Sequence, residues 1–457
     1  MKRYGMLILP SANRVYAGAA VELTRAELEI FGATVLDGRV GAVQTSTVGG
    51  VRYVTFDVDG GLSERDTALL GNLSSAYALF EFVGDLLRPV PLTRLDRFDD
   101  DLITIQKYPG KTNEQFTKLL LNVTLLASDW AGDLLTRRFR VLDPLCGRGT
   151  TVNQAIMYGF DAAGLDRDSK DFEAYQAFLT TWLKRKRIKH RVLESGPVRR
   201  ERKVVGRRLR LEVAASKEAH KAGDVQSVDV VNADTTRAGE FFRPGSVDLV
   251  VADAPYGVQH GSRTAEQGLA RDPLALLAAA VPVWARLLRP GGALGISWNT
   301  NVARREAAAE HLTAAGLTVQ DQPPWRALSH RVDQAIVRDI LVAQNPPLTP
   351  HPHPHPHRPR DLALSVAEMC LMRLMRGHKV QDRASGEGGG GRRRLTGVGV
   401  GGRAVTGSVS GNAWSTEDTP WTSSGRSSTG RPTSVTVIIK GIPAGASTRS
   451  TPTSSAG

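Results

Sequence analysis

Cysteine is almost missing from this chain: 457 residues contain Cys146 and Cys370 alone, far apart and in unlike settings. Two such residues build no disulfide framework, which excludes the stapled secreted scaffolds and points to a reducing compartment. Long apolar runs are also lacking. No stretch reaches the 18 or more apolar residues of a membrane span. The opening MKRYGMLILPSAN breaks at Pro10 before an apolar signal-peptide core could form. The expectation is a soluble cytoplasmic protein with no membrane partner. Hydrophobic residues make up 41% of the chain, a globular share, and the length exceeds one ordinary core.

Acidic charge is in deficit, and the net charge is +13. From Asn345 onward 14 Lys or Arg face 6 Asp or Glu, so most of the excess belongs to the tail. Within the body, Lys184 to Arg210 (KRKRIKHRVLESGPVRRERKVVGRRLR) carries 13 cations against Glu194 and Glu201. Such a patch suits the phosphates of a nucleic acid, with Lys184, Arg185, Lys186, Arg187, Arg199 and Arg200 as candidate contacts. The plainer alternative is a solvated helix end followed by a hairpin.

Composition divides the chain. Residues 345–457 hold a His-Pro repeat (HPHPHPHRPR), a glycine run and then Gly, Ser and Thr, and cannot bury enough apolar surface to offset ordering entropy. A disordered tail is expected, with one short amphipathic helix over Leu362 to Met375. An added extension and a shifted reading frame would both produce so sharp a change. The His-Pro repeat reads as a polyproline-like spacer rather than a metal tract, and no metal ion is expected in the chain.

Residues 101–344 read as one domain, in which the chain alternates strand and helix from about Phe139 to Gln344. The runs FRVLD, DAAGLD, VDVVNAD, VDLVVAD, GALGISWN, LTVQDQ and IVRDILVAQ read as strands, separated by helical patterns such as SKDFEAYQAFLTTWLK. This predicts an α/β domain with a doubly wound sheet, whose ligands bind beyond the carboxyl ends of the strands. Residues 1–100 read as a smaller α+β domain, with strands at GMLILP and RYVTFDV and helices at LTRAELEIFG and SSAYALFEFVGDLL.

The strand ends carry the chemistry. The first runs into VLDPLCGRGTT, where Gly147 and Gly149 permit a tight turn against a ligand and the next helix presents its amides. A dinucleotide site is the rival reading. The third glycine of that fingerprint is absent, Asp143-Pro144 precedes the turn, and Asp166 ends the second strand, where a carboxylate can bind ribose hydroxyls. Asp234 and Asp253 end the third and fourth. A helix cap explains any one of these acids, but four in succession exceed folding needs, since a carboxylate at a strand mouth costs desolvation without a partner. Cys146 reads as a packing residue.

In this order and spacing, DPLCGRGT, GLD, NADTT and DAPYG resemble the S-adenosylmethionine-dependent methyltransferases that modify exocyclic amines. Their fourth-strand signature is Asp or Asn, two prolines and an aromatic; here Ala254 replaces the first proline. Within that group residues 108–344 most resemble the tRNA guanine-N2 methyltransferase family, and YPGKTNEQFTKLLLNVTLLAS is similar to the helix leading into its first strand. Residues 1–100 lack the THUMP pattern many members carry. The resemblance implies a Rossmann-like seven-stranded sheet with an antiparallel last strand, S-adenosylmethionine as cofactor and RNA, tRNA in particular, as partner. It implies that Asp143, Gly147 and Gly149 contact the methionine part, Asp166 the ribose and Asp234 the adenine amine, with Lys111, Thr112 and Asn113 beside the methionine carboxylate. It also makes Asp253 and the carbonyl of Ala254 the two acceptors for a base amine. Pro255 holds Ala254 extended, and Tyr256 offers a ring for a flipped base. His260 and Arg263 lie in the polar loop that follows. The fourth-strand signature is shared with DNA adenine and cytosine amino-methyltransferases. Protein-glutamine methylation gives the basic segment no role, and Ala254 is the one hint of a non-catalytic nucleic-acid-binding module.

Overall fold

The computed structural model describes residues 1–254 and 273–347. Pro255, Tyr256, His260, Arg263, Cys370 and the tail from residue 348 onward lie outside the described residues, as do all residues of the second of the chain's two units, Arg360–Gly457.

The first ninety residues build an antiparallel sheet from β1 (Lys2–Ile8), β2 (Gln44–Val48), β3 (Val51–Val58), β4 (Ala76–Val83) and β5 (Leu86–Val90), in the order β2-β3-β1-β4-β5. Two helices accompany it, α1 (Arg14–Thr34) and α2 (Glu64–Leu70). Asn13 starts α1 by accepting from the amides of Val15 and Tyr16, and Leu23, Leu28, Ile30 and Phe31 bury its apolar face. The helix expected over SSAYALFEFVGDLL is instead the hairpin β4 and β5, turning through Gly84 at φ +58°. Tyr77, Phe80, Phe82 and Val83 favour the strand state, and pairing with β1 satisfies the β4 backbone.

Between this sheet and the next come α3 (Asp101–Thr104) and α4 (Glu114–Leu126). Leu102 is buried, and Trp182 donates to Asp101 at 2.9 Å. Buried Glu27 on α1 accepts from the Ser74 amide and hydroxyl and, at 2.7 Å, from Asn122 of α4. Asn122 in turn accepts from Tyr158 at 2.8 Å.

Beyond α4 come β6 (Arg140–Asp143), α5 (Thr150–Met157), β7 (Asp161–Asp166), α6 (Ser169–Arg185), the hairpin β8 (Lys189–Arg200) and β9 (Lys203–Ala214), and α7 (Lys217–Lys221). Then follow β10 (Gln226–Asn232), a 3-10 turn (Thr235–Glu240), β11 (Val247–Asp253), α8 (Pro273–Leu287), β12 (Leu288–Asn299) and α9 (Arg305–Ala314). The last elements are β13 (Thr318–Val319), α10 (Pro323–Arg326), β14 (His330–Arg331) and β15 (Val337–Gln344).

Their sheet runs β13-β15-β12-β11-β6-β7-β10-β9-β8, with β14 on β15, ten strands in all. The seven expected runs form a contiguous block from β13 at one end to β10, parallel from β12 to β10, with β15 antiparallel to β12. The hairpin β8–β9 adds two antiparallel strands at one edge. One apolar cluster under α4, α5 and α6 covers one face, and a second beneath α8 and α9 covers the other. α4 crosses β12 closely enough that a Cβ on Gly295 would overlap Thr124, and this approach carries the loop before α4 to the carboxyl edge of the sheet.

Candidate active site

At the carboxyl edge β6 and β11 lie side by side, and the strand order reverses between them: β6 leads to β7 on one side, β11 to β12 on the other. Ligands of open α/β sheets bind at this reversal. Asp143 ends β6 and Asp253 ends β11, so a carboxyl stands on each side of it.

Gly147 and Gly149 take φ +49° and +81° in the turn after β6. Gly149 opens α5, and a Cβ on it would overlap the Tyr175 ring. At Gly147 a Cβ would meet nothing within 4 Å, so open space borders the turn. Asp166 binds the turn to the end of β7: its Oδ2 accepts from the Gly147 amide at 2.8 Å and its Oδ1 from the Asp168 amide at 2.8 Å. Burial raises the Asp166 carboxyl above its ordinary range. The Cys146 side chain is buried and pressed toward Gly164, and burial raises its thiol, a setting of packing rather than attack.

Asp143 is 4% exposed and accepts from the Leu145 amide at 3.0 Å. Burial pushes its carboxyl up to about 7, outweighing that hydrogen bond and the one from Thr151. A carboxyl raised in the folded state binds more protons folded than unfolded, so its contribution is complete below about pH 4 and is lost as pH rises through about 7. The ligand-free protein should therefore lose stability relative to Asp143→Asn across this window, by a few kcal/mol at about 1.4 kcal/mol per unit. Urea unfolding of both proteins at pH 5 and pH 8 measures this; parallel curves at the two pH values would contradict it.

Asp234 stands two residues past the end of β10, where its Oδ1 accepts from the Thr236 amide at 2.9 Å and hydroxyl at 2.6 Å and starts the 3-10 turn. Lys111 donates to the Ile103 carbonyl at 2.7 Å and pairs with Glu114. Asn113 caps α4 by accepting from Phe116 at 3.0 Å and donates to Ser11 of the N-terminal part at 3.0 Å.

Thr112 points elsewhere than its neighbours. Its hydroxyl donates to Asp253 Oδ2 at 2.6 Å, while the Ser297 hydroxyl on β12 donates to Asp253 Oδ1. Ser297 is the register partner of Asp253, and its carbonyl accepts from the Ala254 amide at 2.9 Å. Two hydroxyls from separate elements thus fix the carboxylate plane, and the Ala254 side chain is buried beneath it. Ser297 escaped the sequence reading; its signal was a lone hydroxyl near the carboxyl end of an otherwise apolar strand. Thr112→Val removes one of the two positioning bonds, worth about 1 kcal/mol or somewhat more. It should slow transfer roughly tenfold with the cofactor dissociation constant unchanged, and Thr112→Ser should restore the rate. Calorimetry and single-turnover kinetics measure the two quantities; loss of cofactor affinity instead would place Thr112 on the cofactor.

The basic segment is divided by the fold. Lys184, Arg185, Lys186 and Arg187 close α6 at the amino edge of the sheet, whereas Arg199 and Arg200 lie at the far end of β8. Many of its cations face acids: Lys186 meets Asp99 and Asp101, Arg191 meets Glu212, Arg207 meets Glu173, and Arg208 holds Asp229 with two bonds of 2.7 and 2.6 Å.

Residues 127–290 match the family model described as RMKL-like, methyltransferase domain. These residues therefore resemble a methyltransferase domain. No curated protein matches the chain in sequence. Among solved structures the fold is similar to TrmN from Thermus thermophilus, at 13% identity over 76% of this chain and 100% of that one, with a TM-score of 0.35. It is similar to a TehB-like SAM-dependent methyltransferase from Corynebacterium glutamicum, at 15% identity over 46% and 81%, with a TM-score of 0.26. It is also similar to the 16S rRNA methyltransferase RsmC of T. thermophilus, solved with AdoMet and guanosine, at 15% identity over 47% of this chain and 38% of that one, TM-score 0.23. Among the described residues of the methyltransferase domain and its neighbours, no helix is long and apolar enough to cross a membrane.

Proposed function

We propose that the methyltransferase domain acts on the exocyclic amine of a nucleobase, guanine N2 in tRNA. The observation that carries this reading is the mount of Asp253, an acid at the mouth of β11 beside the strand reversal, oriented by Thr112 and Ser297. The resemblance of DAPYG and its upstream segments to guanine-N2 methyltransferases supports the choice of base.

The residues at the reversal fit the cofactor. Open space beside Gly147 would take the methionine part, held by Asp143, Gly147 and Gly149. Asp166 would accept from the ribose, and Asp234, whose Oδ1 is taken by Thr236, would offer Oδ2 to the adenine amine. When bound, S-adenosylmethionine supplies a methyl group on a sulfonium, an electrophile. A base amine is a poor nucleophile because its lone pair is delocalised into the ring. Asp253 would accept one of its N–H groups and the Ala254 carbonyl the other, which holds the nitrogen and favours the positive charge that develops on it. A carboxylate has about four lone-pair sites, so both hydroxyls can bind it together with a base N–H. Pro255 and Tyr256 would aim that carbonyl and stack the base, worth roughly 1 to 3 kcal/mol.

The test offers labelled S-adenosylmethionine to the purified protein with total tRNA, ribosomal RNA or DNA, followed by digestion to nucleosides. N2-methylguanosine from tRNA is the expected product. Label in DNA alone would sink the reading.

A further inference from the structure

We propose that the tip of the hairpin β8–β9 is an arm that grips the phosphate backbone of the substrate RNA beside the target base, and that the basic end of α6 takes no part. The inference rests on the nucleobase reading above and adds to it where on the protein the RNA lies.

β9 runs antiparallel to β10, with Arg207 opposite Asn232, the last residue of β10. Residues 203–206 therefore continue past the carboxyl edge, about 13 Å at roughly 3.3 Å per residue. The hairpin closes through Glu201 and Arg202, both at positive φ (47° and 67°), a narrow two-residue turn matched to strand twist. The arm is anchored at its base. Arg237 donates to the Val205 carbonyl at 3.3 Å, Gly206 packs against the Asn232 carbonyl and Phe241, and Arg200 bonds to the Glu240 carbonyl. Arg237 and Glu240 belong to the turn that follows Asp234, Phe241 comes directly after it, and Asn232 ends β10.

Charge separates the tip from the stem. Arg199, Arg202 and Lys203 are exposed and have no ion-pair partner among the described residues, with Glu201 the single acid between them. In the stem Arg191, Arg207 and Arg208 are each paired with an acid. The end of α6 differs in place and surroundings. It sits at the amino edge, about 35 Å from the tip along β8, and Lys186 there is engaged by Asp99 and Asp101, whose charge opposes a phosphate. β11 and β9 are separated by β6, β7 and β10, which at about 4.8 Å per strand sets the arm about 19 Å to the side of Asp253. That is a span of several base pairs of an A-form stem, so a base held at Asp253 and a phosphate held at the tip can belong to one stem.

Two variants of the full chain test this: Arg199→Ser with Arg202→Asn and Lys203→Ser at the tip, and Lys184→Ser with Arg185→Ser and Arg187→Asn at the helix end. Asparagine is used where φ is positive because it tolerates that conformation. Binding of unmodified bulk tRNA is followed between about 50 and 300 mM KCl, with cofactor calorimetry as the folding control. The tip variant should lose about 2 to 3 units of slope in log K against log salt, at about 0.7 to 0.9 per phosphate contact, with cofactor affinity within twofold of wild type. The helix-end variant should lose less than one unit. An unchanged slope at the tip, or the larger loss at the helix end, overturns the arm. So does a tip that binds polyglutamate as tightly as tRNA, which would assign it to an acidic protein partner. Failure of the nucleobase reading shows separately, as absence of label from every nucleic acid offered while the tip variant still shows its altered slope.

Discussion

Asp253→Ala should lower methyl transfer by about a hundredfold to a thousandfold, the usual loss for one preorganised group in a water-poor site. Cofactor affinity should stay within about threefold. Thr112 and Ser297 orient the acid, and both are remote in sequence, neither part of the turn after β6. Truncation therefore removes an acceptor from the base and leaves Asp143, Gly147 and Asp166 where they are. The two hydroxyls lose their partner as well, at a cost of about 1 to 3 kcal/mol if they stay buried, so the melting temperature should fall by a few degrees without unfolding. Single-turnover transfer to tRNA and cofactor calorimetry on one preparation give the comparison. Equal loss of both would remove Asp253 from the acceptor role.

The second large effect is expected at the turn. Gly149→Ala forces a side chain into the left-handed region, at about 1 to 2 kcal/mol, and drives its Cβ into the Tyr175 ring. That ring is fully buried, and its hydroxyl is fixed to Asn153 at 2.9 Å, so it cannot yield cheaply; overpacking of this kind costs roughly 1 to 3 kcal/mol more. A combined loss of about 2 to 5 kcal/mol should lower the melting temperature by about 5 to 15 °C, and cofactor affinity should fall with it because α5 begins at this residue. Gly147→Ala is the informative contrast. Its backbone angle carries a similar strain, but the new methyl meets nothing within 4 Å. It should cost about 1 kcal/mol of stability and, by filling the open space, weaken cofactor binding at least tenfold. Undiminished cofactor affinity in that variant would show that the space beside Gly147 is not the cofactor's seat. Thermal melts and calorimetry on both variants decide the matter.

The seven strand runs of the methyltransferase domain were legible because each is a short apolar stretch bounded by turn residues and separated by a helical period, and such local patterns survive folding. SSAYALFEFVGDLL was misread for the opposite reason. Its dense apolar residues satisfy a helical period as well as a strand period, and the choice was made by β1, which offers a backbone to pair with. Asp234 shows the plainer of its two readings in the structure: its Oδ1 caps the turn that follows. The basic segment is a harder case. As a string it is one patch of 13 cations, but the hairpin carries its middle, Arg199 to Lys203, to the carboxyl edge while Lys184 to Arg187 stay at the amino edge, and acids from β9, α6 and β10 pair Arg191, Arg207 and Arg208 in the stem between them.

By itself the sequence determined the α/β alternation, the acids that close the strands and the glycine turn after the first of them, because strand propensity, backbone freedom and charge are properties of neighbouring residues. Only the tertiary structure decided which groups act on Asp253. Thr112 precedes it by 141 residues and Ser297 follows it by 44, and no local pattern links positions so far apart. The close crossing of α4 over β12 and the register of β11 with β12 bring their hydroxyls to one carboxylate, since packing of buried faces and strand pairing, rather than spacing along the chain, set which side chains meet.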